Sequence, residues 1–174
     1  MYEGEWRKNV RNGKGKQTGK KKNFYEGEFK NNKKEGKGIM KFKNGDVYEG
    51  DFVKGKRNGK GKFKWKNGDL YLGEFINNKR CGFGKLILFS GDSYEGSFVD
   101  GFMDGDGVYT FKEGNILRGL FSQGKFVDPQ HSDLAPSLPI DVRDDGINNN
   151  NNNSGSDGEN YNSPNSRNQR CIVF

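Results

Sequence analysis

Apolar and acidic residues alternate along Tyr48-Glu49-Gly50-Asp51-Phe52, which places Tyr48, Gly50 and Phe52 on one side of the chain and two carboxylates on the other. Period two is the signature of a strand with one dry face. The stretch returns every 23 residues, opening at Tyr2, Tyr25, Tyr48, Tyr71 and Tyr94, with Leu117 in the same place in a sixth, broken copy. A second alternating run follows in each unit: Gly38, Met40 and Phe42; Gly61, Phe63 and Trp65; Gly84, Leu86 and Leu88; Gly107, Tyr109 and Phe111. Each copy therefore predicts a pair of strands, and the fixed step predicts copies stacked on one another.

The connections carry Asn44-Gly45, Asn67-Gly68, Ser90-Gly91 and Glu113-Gly114, all turn signals. A two-residue loop would pair Lys43 with Asp46 and split the aromatic rows between two faces. A three-residue loop, Lys43-Asn44-Gly45, pairs Met40 with Tyr48 and Gly38 with Gly50 and keeps every ring on one face, so the odd-length loop is expected. Glycine near a ring leaves room for that ring to lie flat over the backbone. No segment of residues 1–127 has the pattern of an amphipathic helix that could cover the rings. Either the sheet curls over them or they line an open groove. The groove residues expected to meet a protein partner are Tyr25, Phe29, Tyr48, Phe52, Phe63, Trp65, Tyr71, Phe75, Tyr94 and Phe98.

Tyr-x-Gly-x-(Trp or Phe), then Gly-x-Gly and a turn glycine, all at a step of 23 over residues 2–124, resembles the MORN (membrane occupation and recognition nexus) repeat. The resemblance implies an all-β protein: an elongated, single-layer, twisted antiparallel sheet of tandem hairpins that is non-catalytic and serves as a scaffold. It also implies association with membranes and phosphoinositides, and protein partners such as an amphipathic helix lodged in the groove. A regulatory subunit for a membrane lipid kinase or a small-GTPase regulator is a further role such arrays allow. The first copy departs from the pattern, with Lys22 in place of the turn glycine and Gln17 and Gly19 in apolar positions, so its second strand is expected to fray. The sixth lacks a second strand and is expected to cap the array, and open sheet ends allow pairing into a homodimer.

Charge changes the picture. Residues 1–127 hold 27 Lys and Arg against 16 Asp and Glu, while residues 128–174 hold 3 against 7. The excess concentrates in the first 80 residues. Lys14, Lys16, Lys20, Lys21, Lys22, Lys33, Lys34, Lys54, Lys56, Arg57, Lys60, Lys62 and Lys64 are the candidate contacts to anionic membrane phospholipid. With 30% hydrophobic residues and 27 glycines, a thin sheet is expected, not a thick core. Two cysteines, no secretory signal and no long apolar run point to a reducing cytoplasmic setting without a disulfide framework.

Residues 128–170 are rich in Asn, Ser, Gly and Pro and are expected to be a disordered linker. The chain closes with Cys171-Ile172-Val173-Phe174, a C-a-a-X signal. It predicts geranylgeranylation of Cys171, removal of the last three residues and methylation of the new carboxyl terminus. One lipid chain holds a protein only weakly, so the basic repeats are the expected second signal, on the cytoplasmic face of a membrane.

Catalytic parts are missing from the sequence. His131 is the single histidine, and no clustered cysteines, phosphate loop or calcium hand accompany it, so no enzyme activity, cofactor or metal is expected. Lys60-Gly61-Lys62-Phe63-Lys64-Trp65 interleaves cations with rings as a nucleic-acid binder would. Stacking needs those rings exposed, and their shared face with every other repeat makes nucleic acid the lesser reading.

Overall fold

The computed structural model describes residues 1–19 and 21–127. They form one open antiparallel sheet of twelve strands in sequence order. The strands are β1 (Tyr2–Arg7), β2 (Val10–Thr18), β3 (Phe24–Lys30), β4 (Lys33–Lys41), β5 (Val47–Val53), β6 (Lys56–Lys64), β7 (Leu70–Ile76), β8 (Lys79–Ile87), β9 (Ser93–Val99), β10 (Phe102–Thr110), β11 (Ile116–Ser122) and β12 (Lys125–Phe126). The all-β reading and the hairpin per copy both hold.

Connections between hairpins follow the odd-length loop. Met40 stands opposite Tyr48 and Gly38 opposite Gly50. Phe42 N–H donates to the Asp46 carbonyl at 2.9 Å and Gly45 N–H to the Phe42 carbonyl at 3.0 Å. Within hairpins the turns are two residues long and left-handed at both, as at Asn31 (φ 48°) and Asn32 (φ 66°). That is the twist-matched tight turn for which Asn is suited.

Each of the five full hairpins also carries a bulge. Gly27 pairs with Gly38, but its neighbour Glu28 pairs with Glu35, which leaves Gly36 and Lys37 as extra residues on β4. The carboxylate of Glu28 accepts the Lys37 amide at 3.2 Å, and Asp51 does the same for Lys60 at 3.0 Å. At the second acid position, Glu5, Glu28 and Asp51 thus latch the bulge of their copies.

Two expectations for the terminal copies are corrected. β2 does not fray: it pairs with β3 through Thr18, with Gln17 opposite Tyr25, and Lys22 itself adopts the left-handed backbone (φ 60°). The sixth copy does have a second strand, the two-residue β12, whose Phe126 meets Phe121 with ring centroids 5.3 Å apart. Residues 128–174, with the expected linker and the C-a-a-X ending, lie outside the described residues.

Candidate functional site

Tyr25 lies flat across the paired glycines of its own hairpin. A β-carbon on Gly27 or Gly38 would fall 2.6 or 2.5 Å from the Tyr25 hydroxyl oxygen. The hydroxyl then donates to the Glu28 carbonyl at 2.9 Å, next to the bulge. Tyr2, Tyr48, Tyr71 and Tyr94 repeat this bond to Glu5, Asp51, Glu74 and Ser97. Each buried phenol is therefore satisfied, as burial requires. Burial pushes the hydroxyls of Tyr25, Tyr48 and Tyr94 well above their ordinary range, and the main-chain hydrogen bond offsets only part of that.

The rings interlock along the whole sheet. Tyr25 makes an edge contact with Phe29 of its own copy at 5.1 Å and with Phe52 of the next at 5.0 Å; Tyr48 does the same with Phe52 and Phe75. The series runs unbroken from Trp6 to Phe126. Such pairs are worth about 0.5–1.5 kcal/mol each beyond the area they bury.

This packing corrects the expected groove. All ten rings assigned to a partner, including Phe63 and Trp65, are at most 5% exposed, because the rings cover one another and the tyrosines also lie on glycine backbone. They form the core. Phe63 and Trp65 accordingly offer no free face on which a base could stack.

A row of cations at the same 23-residue step seals the ring face, and it escaped the sequence reading. Arg11, Lys34, Arg57 and Arg80 occupy it, followed by Met103 and Phe126. The Arg57 guanidinium lies 4.9 Å from the Phe63 ring centroid and within 6 Å of three other rings. It donates to the Asn78 carbonyl at 2.7 Å, and Arg11 donates to Asn32 at 2.8 Å. Arg80 reaches the Gly101 carbonyl. Each guanidinium thus clips its copy to the tight turn of the next. Lys34 is too short and compact for that bond; it sits 5.0 Å from the Tyr25 centroid, with Nζ 3.0 Å from the Met40 sulfur. Desolvation lowers its ammonium pKa from 10.5 to about 8. Arg57, buried to 2%, and half-buried Lys34 are therefore removed from the lipid-contact set: both are spent on the rings.

The remaining candidate lysines do not share one plane. Lys14, Lys16, Lys60, Lys62 and Lys64 stand on the face opposite the rings, beside carboxylates such as Glu26, which Lys16 meets at 3.2 Å. Lys33, Lys54 and Lys56 border the tight turns, and Lys21 and Lys22 lie in a connection between copies. All of these are exposed; Lys20 lies outside the described residues.

The open furrow of the molecule is on this opposite face. A trough of about 960 Å³ runs there over the backbone of Gly27, Gly38, Gly50, Gly61 and Gly73, whose side-chain positions point to the ring face. Ile39, Leu72 and Phe83 project into it and are 36, 40 and 61% exposed. A second trough of about 570 Å³ continues past Phe83 to Val108 and Gly119. Sequence parity identified which residues share a face, but not that a ring lying flat closes its own side and leaves the other open.

Cys81 is buried on β8, and the second cysteine, Cys171, lies outside the described residues. Among the described residues no group of His, Cys, Asp and Glu could hold a metal ion, the Asp100, Asp104 and Asp106 loop included. No helix among them is long and apolar enough to cross a membrane, which says nothing of strands.

No curated protein matches the chain significantly. The repeat step, the flat tyrosine on paired glycines and the single-layer sheet coincide with the match of the MORN repeat family over residues 2–23, 25–47, 48–70, 71–93 and 94–116, and the chain belongs to that family.

Proposed function

We propose that this protein is a non-enzymatic scaffold held at the cytoplasmic face of a membrane, with its basic repeats against anionic phospholipid and a protein partner in the trough over the glycine column. The reading is supported above all by where the charges point. Turn carboxylates face inward: Asp46 and Asp92 accept the amides of Lys66 and Lys112 at 2.9 Å, while the lysines beside them face solvent. A net excess in sequence thereby becomes a larger excess at the surface, and each cation near an anionic leaflet contributes about 1 kcal/mol. The trough adds exposed aliphatic and aromatic side chains on a floor of bare backbone, a shape that takes an apolar stripe of an amphipathic helix.

The anchor in this reading is a geranylgeranyl thioether at Cys171 with a methylated carboxyl terminus. Mass spectrometry of the terminus of the native protein checks for the thioether and the methylated carboxyl group. Cys171→Ser is expected to move the protein from the membrane fraction to the cytosol; a variant that stays fully membrane-bound overturns the anchor. Recombinant, unlipidated chain is expected to sediment with vesicles containing phosphatidylserine and not with phosphatidylcholine alone. Equal retention on both overturns the lipid contact.

A further inference from the structure

On the long edge formed by connections between hairpins, one turn position recurs at the 23-residue step as Lys43, Lys66, Phe89 and Lys112. Its side chain covers the turn glycine of the preceding copy. A β-carbon on Gly45 would lie 3.1 Å from Lys66 Cγ, one on Gly68 would lie 2.7 Å from the Phe89 ring, and one on Gly91 would lie 3.0 Å from Lys112 Cβ. A lysine covers that glycine with its stem while its charge remains in water. Phe89 covers it with a ring that is 79% exposed, the most exposed aromatic among the described residues. Covering alone does not call for this ring.

The edge that carries Phe89 is cationic. Lys21, Lys22, Lys41, Lys43, Lys64, Lys66 and Lys112 are the exposed basic side chains at or beside these connections. The acids there are drawn inward: Asp69, buried to 3%, accepts the Phe89 amide itself at 2.8 Å. Glu113 is the exposed exception, at 3.6 Å from Lys112. The opposite edge is basic too, but its tight turns hold no aromatic residue.

A projecting apolar ring flanked by ammonium groups fits the boundary between headgroups and acyl chains of an anionic bilayer: the ring enters and the cations stay with the phosphates. We infer that this edge, and not the ring face or the tight-turn edge, is applied to the membrane, with Phe89 inserted. The inference rests on the proposed contact of the array with anionic lipid. A nucleic acid would use the cations, but a single isolated ring gives it no run of stacking platforms.

The test is sedimentation of the full unlipidated chain with vesicles of phosphatidylcholine and phosphatidylserine, using wild type, Phe89→Ala and Phe89→Lys. Insertion predicts about tenfold weaker binding for Phe89→Ala and about twofold weaker binding for Phe89→Lys, whose added charge recovers about fivefold of the loss. Attraction by charge alone predicts about fivefold tighter binding for Phe89→Lys. Phe89→Trp, read by emission, is expected to gain a blue shift on the mixed vesicles that wild type lacks. Wild-type binding with Phe89→Lys equal or tighter, or no added blue shift, overturns the insertion and leaves the lipid contact standing. Absence of wild-type binding overturns both. Unchanged thermal unfolding of the variants excludes a folding defect as the cause of a loss.

Discussion

The Tyr25 ring occupies the space that a side chain on Gly38 would need: a β-carbon there would lie 2.5 Å from the hydroxyl oxygen and 2.6 Å from the ring carbons. The two residues are alternatives for one volume. Gly38→Ala is therefore expected to expel the ring, break its bond to the Glu28 carbonyl and open the series at Phe29 and Phe52. A loss of about 3 kcal/mol or more follows, since overpacking and cavity formation occur together. Urea unfolding monitored by circular dichroism checks it, and an effect under about 1 kcal/mol would refute the packing described here.

Gly55→Asn is expected to do the opposite. A β-carbon at Gly55 meets nothing within 4 Å, and Asn32 and Asn78, at equivalent turns, accept the amides of Arg11 and Arg57 through Oδ1 at 2.9 Å. The introduced carboxamide would accept the Lys34 amide in the same way, and an asparagine tolerates the left-handed backbone at this turn (φ 89°). A gain of roughly 0.5–1 kcal/mol in denaturant unfolding is expected.

Tyr48→Phe keeps the ring and removes the donor to the Asp51 carbonyl. The carbonyl is then left beside an apolar edge, at a cost of about 1–2 kcal/mol. Proton chemical shifts of Phe52 and Phe75 should stay in place, showing that the stack survives the loss of the hydroxyl.

Stability should depend on pH with opposite signs on two sides of a maximum. Desolvation holds folded Lys34 at about 8, below its ordinary 10.5, so between those values the unfolded chain binds more protons and stability rises with pH. The phenols of Tyr25, Tyr48, Tyr94 and Tyr109 are raised, by burial first, so above about pH 10 the unfolded chain releases protons that the folded one keeps and stability falls. A maximum around pH 9–10 in the urea midpoint is expected. Lys34→Met, which copies what Met103 supplies in the fifth repeat, should abolish the rise and spare the fall.

Much of the fold was legible because every structural requirement is repeated in register. The odd-length connection followed from demanding that Tyr48 and Met40 share a face, and the ladder pairs them. The cations were harder to place. Arg57 has the composition of a surface residue and the position of a core residue; only its column, shared with Arg11, Lys34 and Arg80, reveals that it belongs with the rings. The groove was assigned to the wrong side for a related reason. Alternation says that Tyr48 and Glu49 point in opposite directions, but not that an aromatic residue lies down over glycine and fills its own side. Gln17 and Lys22 misled in the other direction: neighbouring hairpins hold the first copy in register although its own residues depart from the pattern.

Eleven strands of the sheet are long and the twelfth covers only Phe121 and Ser122. β1 and β11 consequently run the same way, since direction alternates across the ladder. Setting one molecule after another by simple translation would bring like-directed edges together and could not extend the antiparallel bonding. A half-turn about an axis normal to the sheet, by contrast, meets β1 with an oppositely running β1. Any continuation of the antiparallel ladder from the β1 margin into the same margin of a second copy therefore requires a two-fold axis and not a translation.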